Sequence, residues 1–247
     1  MSIFKGNGNP LVKEESFAKA AVDTQVDASL ISEVMTVEGA VNKSFMLFGL
    51  MLMTSMISYM MPNMIFLWGG LIGGLVFAIW ASRKQEKSPV LAPAYALCEG
   101  LFVGTVTAYY AAMYDGIVFQ AISLTIAVLF MMLFIYKTGI IKVTKSFKAG
   151  VFMATGAIML VYVVSIVLSF FGIQMPLLHN TGPIGIGISL VIIGVASLNL
   201  LIDFDMFEKG AEHGAPKYME WYAGMALLIT LVWLYIEILR LLSKLRD

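Results

Sequence analysis

The chain has little charge, two histidines and a single cysteine, and each scarcity excludes a class of protein. Only 13% of its 247 residues are Asp, Glu, Lys or Arg, whereas a soluble domain carries about 25%. One cysteine, Cys98, excludes an internal disulfide and a cysteine-rich metal site. The formal net charge is zero and no block of bases occurs. We therefore expect no large soluble domain and no nucleic-acid partner.

Hydrophobic residues are abundant instead: they make up 60% of the chain and lie in seven long runs. Each run is near the roughly 20 residues that a helix needs to cross a bilayer. The runs are continuously apolar, which favours helices over strands, and a helix satisfies its own backbone in lipid. We predict an all-α membrane protein with a polar N-terminal segment, 1–43, and a seven-helix transmembrane domain, 44–247. The predicted spans are Ser44–Met61, Asn63–Ala81, Pro89–Met113, Ile117–Tyr136, Ala149–Phe171, Gly182–Ile202 and Tyr218–Leu242.

The bases before Met219 lie in the N-terminal segment and in every second loop, and the loops between them carry none. Short loops rich in Lys and Arg stay on the cytoplasmic side. We therefore predict a cytoplasmic N-terminus, with the base-free turn at Asp115 and the loop at His179 outside. The bases on the predicted cytoplasmic side are Lys5, Lys13, Lys19, Lys43, Arg83, Lys84, Lys87, Lys137, Lys142, Lys145, Lys148, Lys209 and Lys217.

The C-terminal bases do not follow this pattern. Seven spans from a cytoplasmic start place Arg240, Lys244 and Arg246 outside. Either the first helices determine the orientation and these late bases are tolerated, or the last segment does not cross fully. The length of Tyr218–Leu242 favours a full crossing.

Glycines in the second and third runs are spaced for close helix packing. Gly100 and Gly104 form a Gly-x-x-x-Gly pair in the third run, and Gly70, Gly73 and Gly74 lie in the second. Small residues let two membrane helices approach closely, although glycine is also simply frequent in such helices.

Glu99 lies inside the third span, where an ionisable group is costly and often marks a pathway. If that helix starts at Pro89, Glu99 is roughly 15 Å from the cytoplasmic edge, too deep to reach water with its short side chain. Burial disfavours the charged form, so we predict either a neutral carboxyl on a cation path or a carboxyl that hydrogen-bonds a neighbouring helix.

Asp203 and Asp205 end the sixth span, about 200° apart around a helix, so they cannot face one cavity. Asp203 shares its face with Asn199 and Ala196, a small and polar face that indicates contact with protein. Asp205 shares its face with Leu201. Both acids form the predicted pH-sensing or cation-binding group, with Asp205 the better candidate for a solvated position at the membrane interface.

Arg83 and Lys84 end the second span on the same predicted side as these aspartates. A carboxylate beside a base could hold two helices together while it is ionised, which we term an ion-pair latch. On this hypothesis, Asp203→Asn would open the cytoplasmic end at neutral pH, and Asp205→Asn would act more mildly.

No pattern points to catalysis or to a cofactor. Glu237 precedes Arg240 by three residues, which a local helix pair explains. His179 and His213 lie in loops on opposite sides and cannot share a metal. No glycine-rich phosphate loop, Ser–His pair or zinc spacing occurs. Intramembrane aspartyl proteases need acids on two facing helices, and here two acids share one. We expect no enzyme, cofactor or metal site.

The end of the chain resembles the Bax inhibitor-1 family, and the third span resembles its bacterial branch. The residues that carry the resemblance are Asp203-Phe-Asp-Met-Phe-Glu-Lys-Gly-Ala-Glu-His-Gly, Leu234–Leu242, Ala94-Tyr95 with Glu99-Gly100, and Lys217–Tyr222. The resemblance implies seven helices with the last one central, and a multi-pass protein of the inner (plasma) membrane.

The resemblance also implies a pH-sensitive calcium leak in some members and modulation of a membrane-anchored AAA protease in another. In the leak members, an aspartate of the sixth helix pairs with one of the seventh. Asp203 matches the first. The second is missing, because its position corresponds to Leu228 or to Thr230, depending on how the last helix is aligned.

These observations leave two hypotheses of different kinds. The first is a cation leak for Ca²⁺ or H⁺ with Glu99 and Asp203 along the path, since carboxylates suit hard cations. The second is a non-conducting regulator that binds a membrane-anchored protease, or another component of a stress response, through its N-terminal segment.

Overall fold

The computed structural model describes residues 34–172 and 181–246, and within these ranges seven helices are long and apolar enough to cross a membrane. The predicted all-α, seven-span class is confirmed. A single 3₁₀ turn, Gln85–Lys87, joins the second and third helices. The helices are α1 (Val37–Met60), α2 (Met64–Arg83), α3 (Ser88–Met113), α4 (Ile117–Thr138), α5 (Lys145–Phe170), α6 (Pro183–Glu212) and α7 (Met219–Lys244).

Polar caps, rather than the first apolar residue, determine where several helices begin. Thr36, Asn63 and Thr144 each accept a hydrogen bond from a backbone N–H of the helix that follows. As a result, α1 starts at Val37 instead of the predicted Ser44. Its first turns therefore belong to the predicted N-terminal segment, 1–43, of which the structure describes residues 34–43. Residues 1–33 of that segment lie outside the described residues.

The last helix is central, as the resemblance implies. It packs against α1, α3, α4 and α6, whereas α2 packs mainly on α3 and α5 mainly on α6. Met225, Leu228 and Val232 of α7 form one apolar cluster with α1, α2 and α3. Leu234 and Ile238, further along α7, form a second cluster with α4 and α6.

Close approach of α1 and α3 depends on the predicted glycine pair. A Cβ atom at Gly100 would lie 2.3 Å from the carbonyl oxygen of Met51, and one at Gly104 would lie 2.1 Å from that of Ser55. Both distances are impossible for a real Cβ atom, so any side chain at these positions would push the helices apart.

The contacts at its two ends show that α7 spans the whole bundle. At its start, Glu220 accepts hydrogen bonds from the backbone N–H and the hydroxyl of Thr36, where α1 begins. At its end, Lys244 Nζ donates to the carbonyl of Gly185 at the start of α6, and Arg246 donates to that of Asp115 in the α3–α4 turn. The last segment therefore extends from one end of the bundle to the other, which is the length that a full crossing requires.

Candidate ion site between the sixth and seventh helices

Two polar contacts define the register of α6 and α7, which run antiparallel. The Thr230 side chain contacts the Asp203 carboxyl, and the Lys244 ammonium donates to Ser189 Oγ over 3.0 Å. The same number of residues separates Thr230 from Lys244 as separates Ser189 from Asp203. One continuous line of contact therefore runs from Asp203 to the opposite end of the bundle.

Asp203 is buried between these helices and is only partly satisfied. Its side chain belongs to a residue that is 6% exposed. The Thr230 side chain is its polar neighbour on α7, whereas Oδ2 has no hydrogen-bond partner among the described residues. A buried polar atom without a partner costs about 1–3 kcal/mol. The position therefore suits a carboxyl that takes up a proton, a water molecule or a cation.

Asp205 faces a different helix and is fully paired. It is 5% exposed, so it is buried rather than solvated at the interface. Lys148 Nζ of α5 lies 2.5 Å from Oδ2, and Lys209 Nζ lies 2.6 Å from Oδ1. The contact between Lys148 and Oδ2 is an ion pair without the geometry of a hydrogen bond. The two aspartates thus point to different neighbours, as their spacing predicts.

The ion pairs at Asp205 involve lysines other than the predicted latch partners. Arg83 and Lys84 are exposed at the end of α2 and pair with neither aspartate in the ranges 34–172 and 181–246. The reason is the packing order: α2 lies on α3, whereas the start of α5 lies beside the end of α6. Lys148 and Lys209 pair with Asp205, and no base of the described residues pairs with Asp203, so the predicted ion-pair latch is not formed.

Glu99 lies between α2 and α3 and not beside Asp203. Its carboxyl contacts Tyr95, one turn earlier on α3. A Cβ atom at Gly74 of α2 would lie 2.8 Å from Oε2 of Glu99, so the absence of a side chain at Gly74 makes room for this carboxyl. The structure therefore separates the two predicted path residues onto different helix pairs.

A second polar cluster, which sequence reasoning reduced to a local helix pair, lies further along α7. The Glu237–Arg240 pair is present, at 3.0 Å, but Tyr162 of α5 joins it: its hydroxyl donates to Glu237 over 2.5 Å and accepts from Arg240 over 2.6 Å. The sequence did contain one signal of a polar face on α7: Thr230, Glu237 and Lys244 recur every seven residues, which places all three on the same side of the helix.

The site offers single carboxyls rather than a metal cage. In the part of the chain that the structure describes, no three His, Cys, Asp or Glu side chains are grouped to hold a metal ion. Asp203 has a hydroxyl as its neighbour, and Glu237 has a guanidinium and a phenol. Such an arrangement can bind or pass a proton, or contact a cation transiently, whereas a tightly held Ca²⁺ takes about six to eight oxygen ligands.

A family model described as Bax inhibitor 1 like matches residues 9–247. The chain belongs to this family. Comparisons with curated proteins and with solved structures find no match.

Within the family, this chain departs from the expected pair of aspartates, and the structure decides between the two candidate positions. Thr230 contacts Asp203, whereas Leu228 lies in the apolar cluster that faces α1, α2 and α3. The hydroxyl of Thr230 therefore stands where the resemblance implies a second carboxyl.

Proposed function

We propose that this member of the Bax inhibitor 1-like family is a pH-sensitive cation leak, for H⁺ or Ca²⁺, with Asp203 as its central site. The observation that carries the proposal is the buried carboxyl oxygen of Asp203, which has no partner in the described ranges. Ionisable groups inside a membrane are costly and usually serve a pathway.

The burial of Asp203 supports this role. The residue is 6% exposed between α6 and α7. Its carboxyl therefore does not reach bulk water by itself. Cation passage or protonation therefore requires that the cytoplasmic end of the α6–α7 contact opens transiently.

Asp203 is also the group on which pH would act. Thr230 faces it from α7, whereas the charges nearest along α6 belong to the Asp205 cluster, where Lys148 and Lys209 already neutralise the carboxylate. Protonation of Asp203 removes the charge that attracts a cation and leaves a hydroxyl donor in its place. Flux through the site should therefore depend on pH.

The test is flux through liposomes that contain the full chain. We expect H⁺ or Ca²⁺ flux above that of empty liposomes, and Asp203→Asn should lower it about tenfold or more, because an amide neither takes up a proton nor binds a cation well. Asp115→Asn is the matched control, since Asp115 is exposed in the α3–α4 turn. Wild-type flux at the level of empty liposomes would refute the leak.

A regulator function is the second candidate, and a contact at the start of α1 favours it. The N–H of Met35 donates to the carbonyl of Ala215 over 2.7 Å, and Val34 pairs with Pro216. The chain thus enters α1 against the α6–α7 loop, so a partner that binds the N-terminal segment could alter that loop.

The regulator candidate is tested by co-purification with a membrane-anchored AAA protease. Deletion of residues 1–33 should abolish co-purification while the thermal melting curve of the bundle stays unchanged. Retention of the protease by the truncated chain would remove the N-terminal segment from this role.

A further inference from the structure

Polar side chains continue from Asp203 to the far end of the α6–α7 contact. On α7, Thr230, Glu237 and Lys244 recur every seventh residue and share one face. Seven residues span roughly 10 Å of helix. We call this line, with Asp203 and Ser189 of α6, the polar seam.

The middle of the seam contains unsatisfied polar atoms. Trp233 lies on the same side of α7 as Thr230 and Glu237, one turn from each, and its buried Nε1 has no acceptor within the described part of the chain. Oδ2 of Asp203 likewise lacks a donor. Buried polar groups nearly always have a partner in protein or ordered water. The Trp233 N–H donor and the Asp203 carboxyl acceptor both lack partners along the same stretch of the seam. We infer that water enters there.

Glu237 lies beyond this stretch, in a network suited to proton transfer. The residue is 1% exposed. Its carboxylate accepts from the Tyr162 hydroxyl over 2.5 Å and from Arg240 over 3.0 Å. Once this carboxylate is protonated, it can pass a proton on through the phenol in direct contact with it, without any movement of the helices.

The far end of the seam is positively charged, and this bears on which ion can pass. Lys244 is 6% exposed, and its ammonium donates to two neutral oxygens, the carbonyl of Gly185 and the hydroxyl of Ser189. Arg240 lies one turn before it. Arg240 is paired with Glu237, so the charge that a cation would have to pass is the Lys244 ammonium, which has no acidic partner among the described residues. It repels a doubly charged ion twice as strongly as a singly charged one. A proton can instead move between water, carboxyl and hydroxyl groups.

We propose that the polar seam is a proton path and that Glu237 and Tyr162 form its outer half. This inference rests on the proposed leak function and assigns its ion as H⁺ rather than Ca²⁺. A proton from water beside Asp203 and Trp233 adds to the Glu237 carboxylate and breaks the Glu237–Arg240 ion pair. Glu237 then passes a proton to the Tyr162 oxygen as the Tyr162 hydroxyl releases its own proton to water at the far end. The ion pair is restored, and the protein has neither gained nor lost a proton.

The experiment uses the full chain in liposomes, with an imposed membrane potential and separate dyes for H⁺ and for Ca²⁺. We expect H⁺ flux and no Ca²⁺ flux above that of empty liposomes. Glu237→Gln and Tyr162→Phe should each lower H⁺ flux about tenfold or more. Tyr136→Phe is the matched control, because Tyr136 also donates its hydroxyl to a glutamate, Glu208, but at the exposed end of α4.

The outcomes distinguish failure of the proton-path inference from failure of the proposed leak function. Ca²⁺ flux equal to H⁺ flux would overturn the ion assignment and leave the leak intact. Wild-type H⁺ flux in both seam variants would overturn the role of Glu237 and Tyr162. Absence of either flux in the wild-type chain would refute the leak itself. If Glu237→Gln does not fold, Tyr162→Phe decides, since it removes a single oxygen from a half-buried side chain.

Discussion

Lys148 Nζ lies 2.5 Å from Oδ2 of Asp205 and so joins the start of α5 to the end of α6. Removal of the carboxylate and removal of the lysines should lower the stability of the protein by unequal amounts. The lysine side chains, Lys148 and Lys209, are 30% and 46% exposed, and that of Asp205 is 7% exposed. Asp205→Asn leaves two ammonium groups that water can reach. The double variant Lys148→Met/Lys209→Met leaves a buried carboxylate without a counter-charge, which costs about 3–5 kcal/mol.

We therefore expect the double lysine variant to melt at a clearly lower temperature than Asp205→Asn, as measured by thermal unfolding in detergent. Lys137→Met/Lys142→Met, at the same end of the bundle but in no ion pair of the described residues, is the control. Equal melting temperatures for the two test variants would mean that Asp205 is neutral or solvated.

The pH dependence of flux should separate the two aspartates. Asp203→Asn removes the unpaired carboxyl, so its residual flux should vary little between mildly acidic and mildly alkaline buffers. Asp205→Asn should keep the wild-type pH profile, because Asp205 is already paired with two lysines. The sequence-based expectation that Asp203→Asn opens the cytoplasmic end depended on a latch to Arg83 and Lys84, which the structure does not contain. A flat profile for Asp205→Asn as well would contradict the assignment of pH sensing to Asp203.

Glu99 should prove to be a packing residue rather than a path residue. Because its carboxyl contacts Tyr95 and lies against Gly74 of α2, we expect Glu99→Gln to keep near wild-type flux in liposomes. Gly74→Leu should loosen α2 from α3 and lower the melting temperature, while Gly69→Leu, with no atom within 4 Å of its Cβ position, should not. A large loss of flux in Glu99→Gln, with an unchanged melting curve, would show that Glu99 is a path residue after all.

The α1–α3 interface should not tolerate any side chain at its two glycines. Gly100→Ala and Gly104→Ala place a methyl group against backbone carbonyls, which cannot move aside as a side chain can. Overpacking of this kind costs about 1–3 kcal/mol or more, so both should melt several degrees lower than wild type. Gly156→Ala, which meets nothing within 4 Å, is the control. Unchanged melting of Gly100→Ala would show that α1 and α3 are further apart.

The predicted orientation in the membrane can be tested with accessibility tags. Charge bias predicts that tags at Lys84, Lys142 and Lys209 report the cytoplasm and that one at Asp115 reports the outside. The structure adds the C-terminus to the outside group, because Arg246 donates to the carbonyl of Asp115 over 2.7 Å. The predicted outside position of His179 concerns a loop outside the described residues. A cytoplasmic report from a C-terminal tag together with an outside report from Asp115 would contradict the full crossing of α7.

Several helix ends differ from those that hydropathy predicts, and each difference has a physical cause. Hydropathy marks the part of a helix that lies in lipid, whereas the helix itself continues until its hydrogen bonds end. Thus α1 begins at its Thr36 cap, and α6 continues beyond the predicted Ile202 through both aspartates to Glu212. Polar residues at helix ends are compatible with the helix and only lower its mean hydropathy.

The number of spans, their helical type and the predicted sidedness follow from the sequence by itself, because each depends on local properties. A run of about 20 apolar residues must satisfy its backbone within itself in lipid, and short basic loops remain on one side of the membrane. The partners of the acids depend instead on how helices distant in sequence are packed and in what register. Only the tertiary structure placed Thr230 rather than Leu228 at Asp203, Lys148 rather than Arg83 at Asp205, and Tyr162 at Glu237, since the spacing of charges along one helix carries no information about the rotation of its neighbour.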